Sequence, residues 1–67
     1  MRDIKTAESS NIAKVEYDDD AKKLHVTFKN GGTYEYDDVP KDVAEGFEAA
    51  ESAGKYFHAN IVKGGYV

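Results

Sequence analysis

The sequence feature that most constrains the fold is a hairpin between Leu24 and Tyr36, where two stretches of alternating apolar and polar residues flank an Asn-Gly-Gly turn. Such alternation is typical of half-buried β-strands, and asparagine and glycine are preferred in tight hairpin turns. Leu24, Val26 and Phe28 share one face of the first predicted strand, and Tyr34 and Tyr36 share one face of the second. The hairpin therefore predicts the centre of an antiparallel sheet.

The length of the turn decides which face the two tyrosines occupy, because a shift of one residue moves every side chain of a strand to the other face. A two-residue loop at Asn30 and Gly31 pairs Lys29 with Gly32 and leaves both tyrosines exposed or facing a ligand. A three-residue loop that adds a left-handed Gly32 pairs Lys29 with Thr33 and brings the tyrosines to the apolar face. We prefer the second register, because so short a chain cannot easily leave its aromatic pair outside the core.

Length and composition describe one small globular domain. The chain has 67 residues, of which 33% are charged, and it contains no cysteine for a disulfide. A small domain without disulfides is typical of the cytoplasm, and no apolar run is long enough for a signal peptide or a membrane span. We predict a cytoplasmic protein with no membrane contact, monomeric or weakly dimeric, with a flexible arm at residues 1–11 and a single domain at residues 12–67.

Periodicity predicts the remaining elements. Residues 12–17 alternate and predict a strand that completes an antiparallel meander with the hairpin. From residue 40 to 51 the apolar spacing changes to near four, which predicts a helix in which Gly46 approaches the sheet closely. Ser52 is predicted to cap a second short helix that ends at the Gly64-Gly65 pair. The predicted fold is α+β, a three-stranded antiparallel meander followed by two short helices (β-β-β-α-α).

The predicted elements bury one apolar core. We expect Tyr17 and Tyr34 to be buried except near their hydroxyl groups, because aromatic rings supply much of the buried area that a small domain needs. The predicted core residues are Val15, Tyr17, Leu24, Val26, Phe28, Tyr34, Val39, Val43, Phe47, Phe57 and Ile61.

Two motifs give the chain a family resemblance. Tyr34 and Tyr36 form a Tyr-x-Tyr element, and a Ser-x-Gly-x-Tyr-Phe run extends from Ser52 through Gly54 to Phe57. In this order they resemble the KTSC domain, a short module at the C-terminus of some lysyl-tRNA synthetases that also occurs as stand-alone bacterial and phage proteins. The resemblance covers nearly the whole chain. It implies a role in RNA binding, with these motif residues as the family's characteristic positions.

The chain departs from the family pattern at two places. His58 stands where an asparagine commonly follows the Tyr-Phe pair, and Val62 and Lys63 stand where an arginine often follows the isoleucine. Because arginine and lysine contacts to phosphate dominate affinity for nucleic acids, loss of this arginine weakens the argument for phosphate binding.

The charge distribution points to the C-terminal segment as the candidate RNA-binding site. The isoelectric point near 5.0 argues against a strongly basic surface. Residues 34–51 carry one basic and seven acidic side chains, whereas residues 52–67 carry two basic and no acidic ones. For the tyrosines of this segment, packing of the ring competes with stacking on an unpaired base. The candidate binding residues are Lys55, Tyr56, His58, Asn60, Lys63 and Tyr66.

A second hypothesis is a protein-interaction or structural module. Either the acidic helix at residues 40–51 meets a basic partner, or an exposed face of the sheet supports a dimer. The sequence alone leaves single-stranded RNA and a protein as alternative partners.

The sequence contains no pattern that indicates catalysis or a cofactor. His25 and His58 lack the spacing of a metal site, there is no cysteine nucleophile, and no glycine-rich phosphate loop occurs. Asp37 and Asp38 are explained by the start of the predicted helix, where negative charge is favourable. We therefore predict no catalytic residue, no metal and no cofactor.

Overall fold

The computed structural model describes residues 1–6 and 11–66 as a four-stranded antiparallel sheet followed by helices. The sheet order is β1-β2-β3-β4, so each strand pairs with its neighbour in the sequence. The α+β class is confirmed, but the sheet has four strands rather than the three predicted. The strands are β1 Arg2–Ile4, β2 Ile12–Asp18, β3 Lys23–Phe28 and β4 Thr33–Tyr36; the helices are α1 Lys41–Ala49 and α2 Ala53–Phe57, with a π-helical segment at His58–Val62.

The additional strand, β1, lies in the segment predicted to be a flexible arm. Ile4 pairs with Val15 across the sheet edge and is buried in the core. Arg2 donates to Glu45 of α1 at 2.9 Å and to Asp19 at 3.1 Å, so it joins the edge strand to a helix and a turn. A lone isoleucine among polar neighbours carries no periodic signal, because a three-residue edge strand is defined by its partner. Residues 7–10 of the predicted arm lie outside the described residues.

The hairpin contains a three-residue loop, but it is placed one residue earlier than predicted. Phe28 donates to the Gly32 carbonyl at 2.7 Å, and Gly31 donates to the Phe28 carbonyl at 2.9 Å. Gly31, rather than Gly32, has the positive φ of 99°. The Asn30 side chain accepts from the Gly32 N–H at 3.1 Å, which stabilises this turn.

The strand register follows from this loop. Val26 pairs with Tyr34, and Leu24 pairs with Tyr36. The predicted pairing of Lys29 with Thr33 is therefore wrong by two residues. Because the shift is even, the tyrosines still share the apolar face of β3, as predicted.

Most of the predicted core is confirmed, with one clear exception. Tyr34 is 55% exposed, so its predicted burial is wrong. Phe28, Val43 and Phe57 are partly buried against the core rather than inside it. The buried residues are Ile4, Ile12, Val15, Tyr17, Leu24, Val26, Val39, Ala44, Phe47, Ala53 and Ile61.

A bulge in β2 explains how Ile12 enters the core. The pairing with β3 shifts between Ile12 and Lys14, which places Ile12 opposite Phe28 and leaves Ala13 exposed. A bulge adds one residue to one strand and so interrupts the alternation of its side chains. The alternation that the sequence shows at Ala13 and Val15 therefore does not continue to the start of the strand.

The first helix begins at Lys41, with Pro40 in the capping position and without a side-chain cap. Its Gly46 does make a close approach, but to a neighbouring helix rather than to the sheet. A Cβ atom at Gly46 would overlap the hydroxyl group of Tyr56 in α2. That hydroxyl donates to the Val43 carbonyl at 2.7 Å, so glycine is needed at this position for the contact between α1 and α2.

Both predicted ends of the second helical region are confirmed. The Ser52 hydroxyl accepts from the Lys55 N–H at 3.3 Å and so caps the first turn. At the other end Gly65 has a φ of 89°, and Tyr66 donates to the Ile61 carbonyl at 3.1 Å. This is the pattern of a glycine-terminated Schellman motif. In the part of the chain that the structure describes, no helix has the length and apolar character needed to cross a bilayer.

Candidate binding surface

Four aromatic side chains from β3, β4 and α2 form a continuous strip on the helix side of the sheet. Phe28 makes edge contacts with Tyr34 and Phe57, at centroid distances of 5.5 and 5.3 Å. The ring centroids of Tyr36 and Phe57 lie 5.7 Å apart. We call Tyr34, Phe28, Phe57 and Tyr36 the aromatic strip. Its outer end is Tyr34, which packs against Phe28 and is 55% exposed.

Two adjoining cavities lie beside this strip. One of about 570 Å³ lies between the start of β2, the end of β3 and α2, and one of about 390 Å³ lies against the hairpin turn. They share Asn11 and Phe28, so they lie next to each other. We call the two together the hairpin–helix groove, and its described lining residues are Asn11, Ile12, Phe28, Lys29, Asn30, Ser52, Gly54, Lys55, Phe57 and His58.

The charge of the groove differs from that of the whole chain. The chain carries 13 acidic and nine basic side chains. Among the described residues, no Asp or Glu lines the groove, whereas Lys29 stands at the hairpin end and Lys55 at the helix end. The groove therefore combines an aromatic floor at Phe28 with positive charge at both ends.

Local backbone contacts set the shape of the groove. The Lys29 N–H donates to the Asn11 carbonyl at 2.8 Å, which holds the hairpin turn against the start of β2. The cap at Ser52 starts α2 at the opposite wall. Gly54, in the first turn of that helix, also lines the cavity.

Of the six residues predicted to bind RNA, two lie in the groove. Lys55 and His58 line its helix wall and are exposed. Tyr56 points away, towards α1, where its ring lies 4.6 Å from that of Phe47. Burial, followed by the charge of Asp42, raises the pKa of the Tyr56 hydroxyl above its usual value. The Tyr56 ring thus packs against α1, and its predicted stacking on a base stays a prediction.

The other three predicted residues also lie outside the groove. The Asn60 side chain donates to the Tyr56 carbonyl at 3.1 Å, one turn earlier in the helical region. Tyr66 is partly buried against the core, and Lys63 is exposed beyond the π-helical segment. The structure nevertheless brings Lys55, Tyr56 and Asn60 together along a separate cavity that Glu51 also lines, so three of the six predicted residues share one surface.

Sequence reasoning missed the hairpin half of the groove. Lys29, Asn30 and Phe28 belong to β3 and its turn, and Asn11 belongs to the end of the predicted arm. Residues 1–33 carry equal numbers of basic and acidic side chains, so the net charge of this segment gave no indication of Lys29. The signal that was available is a lysine beside a glycine turn, which predicts an exposed cation at a hairpin tip.

The outer face of the sheet, opposite the helices, carries a row of acidic side chains, of which Glu16 pairs with Lys14 at 3.5 Å and Glu35 with Lys23 at 3.4 Å. Asp3 pairs with Glu16, Glu16 with His25, and His25 with Glu35, so these four residues form one row across the strands. Directly opposed like charges are unfavourable in a sheet. Within the described ranges, no group of three or more His, Asp or Glu side chains is arranged to hold a metal ion.

Comparison with known proteins identifies the family of the chain. The sequence matches the KTSC domain family over residues 8–66. The chain belongs to the KTSC domain family. A crystal structure of a KTSC domain protein from Yersinia pestis has a TM-score of 0.79 and 33% sequence identity, and the match covers 94% of this chain and 87% of that one.

A curated relative carries a similar segment within a much larger protein. A lysine--tRNA ligase of Trichormus variabilis is 39% identical over 57 residues, which is 85% of this chain. The chain spans only 10% of the length of that ligase.

The motif positions of this KTSC domain lie in the groove or the aromatic strip, except Tyr56, which packs against α1. Ser52, Gly54 and Phe57 line the groove, and Tyr34 and Tyr36 belong to the strip. The two motifs are separated in the sequence by α1, and the fold brings them to one side of the molecule.

Proposed function

We propose that this KTSC domain binds single-stranded RNA through the hairpin–helix groove. The observation that carries the proposal is the groove itself, which has a lysine at each end, no described carboxylate in its lining, and an exposed tyrosine beside it.

Each part of the groove supplies one kind of contact to RNA. Lys29 and Lys55 attract phosphate groups, which provide the sequence-independent part of the affinity. The Tyr34 ring offers a face on which an unpaired base stacks, a contact that contributes about 1–3 kcal/mol. Asn30 and His58 carry polar groups within reach of base edges and ribose hydroxyls. The proposed site is therefore the groove rather than the C-terminal segment, and it shares only Lys55 and His58 with the site predicted from the sequence.

One relative supports RNA as the class of partner. The similar segment in Trichormus variabilis belongs to an enzyme named for its tRNA substrate. With no cysteine in the chain, we place this binding in the reducing cytoplasm.

An NMR titration of the labelled domain with short single-stranded RNA tests the proposal. We expect chemical-shift changes at Lys29, Asn30, Tyr34, Lys55 and His58. Because only two lysines make phosphate contacts, the logarithmic salt slope should be shallow, about −1.4 at about 0.7 per contact on a single strand. Shifts confined to the outer face of the sheet, or none at low salt, would contradict it.

Matched variants separate the groove from the C-terminal segment. Lys55→Gln should weaken binding and reduce the salt slope by about 0.7, because it removes one phosphate contact. Lys63→Gln removes the same charge outside the groove and should change binding much less. Equal losses from both would indicate attraction by net charge alone.

The carboxylates of the outer face favour a second candidate, a protein-interaction module whose basic partner would replace Lys14 and Lys23 as their ion-pair partners. Its row of Asp3, Glu16 and Glu35 is uncovered by any described helix. A lysine-rich peptide should then shift Glu16 and His25 rather than the groove. The same titration with such a peptide therefore distinguishes the two functions.

A further inference from the structure

The edge strand β4 has backbone groups that point away from the sheet. The Phe28 N–H donates to the Gly32 carbonyl at 2.7 Å, so these residues form a hydrogen-bonded pair at the hairpin turn. Hydrogen-bonded and non-hydrogen-bonded pairs alternate along an antiparallel ladder, so Thr33 and Glu35 belong to non-hydrogen-bonded pairs with β3. Their N–H and C=O groups therefore face outward, and among the described residues no backbone group bonds to them.

The sequence of β4 carries few of the devices that commonly protect an edge strand from pairing. Such strands are protected by lysine, by proline or by a bulge. β4 reads Thr-Tyr-Glu-Tyr and pairs with β3 without a bulge, so Glu35 is its one charged residue. Tyr34 stands beside the open edge and is 55% exposed. This edge is therefore suited to accept a further antiparallel strand through main-chain hydrogen bonds.

The charges at the two ends of β4 select a second copy of this chain as the partner. Exposed Lys29 lies in the turn before β4, whereas exposed Asp37 and Asp38 follow it. Lys23 lies 3.6 Å from Asp37 and offsets part of this charge, but in the described part of the chain Asp38 forms no ion pair. When two copies of β4 pair antiparallel, the basic start of each strand lies beside the acidic end of the other.

We infer that β4 pairs antiparallel with β4 of a second copy and joins the two sheets in a two-fold symmetric dimer. Hydrogen bonds form only between outward-facing residues, so within β4 Glu35 lies opposite either Glu35 or Thr33 of the second copy. The first register opposes like charges directly, which is unfavourable. In the second register the two copies of Tyr34 meet at the symmetry axis as a non-hydrogen-bonded pair, in which side chains approach closely and Cα atoms are about 4.5 Å apart.

Disulfide trapping tests this register, because the chain has no cysteine of its own. Tyr34→Cys should form a symmetric disulfide when incubated with oxidised glutathione, since about 4.5 Å lies within the range of about 4.4–6.8 Å between Cα atoms that a disulfide joins. Thr33→Cys and Glu35→Cys should cross-link faster when mixed than either does alone. Lys63→Cys, exposed outside β4, is the control for random collision.

Charge reversal tests why the partner is a second copy. Lys29→Glu and Asp37→Lys each place like charges at both ends of the dimer, so each should weaken self-association by about threefold to tenfold, as expected for a few exposed charge pairs. A mixture of the two variants restores opposite charges at both ends and should associate within about twofold of the unchanged chain. Sedimentation equilibrium over a concentration series measures all three.

The dimer and the RNA binding proposed above can fail separately. A chain that stays monomeric at about 1 mM, the range of weak association, overturns the dimer, as does a Tyr34→Cys variant that cross-links no faster than Lys63→Cys. Faster self-cross-linking of Glu35→Cys than of Tyr34→Cys, or a mixture of the charge variants that associates no better than each alone, overturns the inferred pairing. None of these results changes the RNA titration of the groove.

Discussion

Two groups of aromatic residues in this domain have similar chemistry and different surroundings. The inner aromatic group is Tyr17, Phe47 and Tyr56, between α1, α2 and the sheet. Tyr17 and Phe47 are fully buried, and the edge contact between Phe47 and Tyr56 joins the helices. The hydroxyls of Tyr17 and Tyr56 donate to the backbone carbonyls of Val39 and Val43, at the start of α1. Tyr17 and Tyr56 are therefore each held in two ways, by the packing of the ring and by the hydrogen bond of the hydroxyl group.

The aromatic strip has contacts between rings but is covered on one side only. Tyr34 at its outer end is 55% exposed, although its ring packs against Phe28. The difference teaches that coverage by a helix, rather than aromatic character, decides whether a tyrosine of this sheet stabilises the fold or remains available to a ligand.

Phe47→Ala should have the largest effect on stability, because it removes a fully buried ring from the inner group. We expect a loss of about 3–5 kcal/mol in the free energy of unfolding, a large share of what a small domain has. Urea denaturation followed by circular dichroism measures it. An unchanged midpoint would mean that this helix face does not pack on the sheet as described.

Gly46→Ala tests the anchoring of Tyr56. In an exposed helix the change would stabilise by about 1 kcal/mol, but here the added methyl group overlaps the Tyr56 hydroxyl. We therefore expect a net destabilisation of about 1–3 kcal/mol, the usual cost of overpacking. In a Tyr56→Leu background the same change should become neutral or stabilising. A loss of equal size in both backgrounds would show that Tyr56 is not the cause.

Tyr34→Ala should separate the strip from the inner group. Because the ring is more exposed than buried, we expect unfolding free energy to fall by less than about 1 kcal/mol, whereas RNA affinity should fall by about 1–3 kcal/mol. Tyr34→Phe keeps a stacking face and should retain most of the binding. Paired denaturation and titration measurements check both. A stability loss near that of Phe47→Ala would place Tyr34 in the core after all.

Raising the pH into the alkaline range should produce the smallest change in the free energy of unfolding. Burial raises the pKa of Tyr17, Tyr36 and Tyr56 in the folded state. The folded state therefore holds these protons more tightly than the unfolded state does. The stabilisation that these tyrosines provide is complete below their unfolded pKa of about 10. It declines as the pH rises through their pKa values in the folded state.

Urea denaturation across this alkaline range measures the decline. Tyr17→Phe removes one titrating group, so its stability should fall less steeply with pH than that of the unchanged chain. Parallel curves for the two proteins would contradict a raised pKa at Tyr17.

The sequence predicted elements whose signals are local. The Ser52 cap and the glycine end of the second helical region depend on backbone conformations that one or two residues favour. Val26 and Tyr34 share a face because side chains alternate along a strand. The predicted register was wrong by two residues, and such a shift leaves the shared face unchanged. The motifs of the KTSC family were likewise recognised from the order of their residues in the sequence.

The elements that the sequence did not predict depend on contacts between distant residues. Ile4 becomes part of a strand only because β2 offers it an edge, and Gly46 is needed because Tyr56, ten residues later, reaches it. The binding surface shows the same division. A contiguous stretch of lysines and aromatics was visible in the C-terminal segment, but a helix sends its side chains in several directions.

By itself, the sequence determined the α+β class, the alternating strands, the capped helix and the family motifs. The tertiary structure alone decided that β1 completes the sheet, that Tyr56 is anchored inside while Tyr34 stays exposed, and that Lys29 and Lys55 stand at opposite ends of one groove. The physical reason is that hydrogen-bonded turns and side-chain periodicity act over a few residues, whereas burial and charge proximity depend on which distant surfaces the fold brings together.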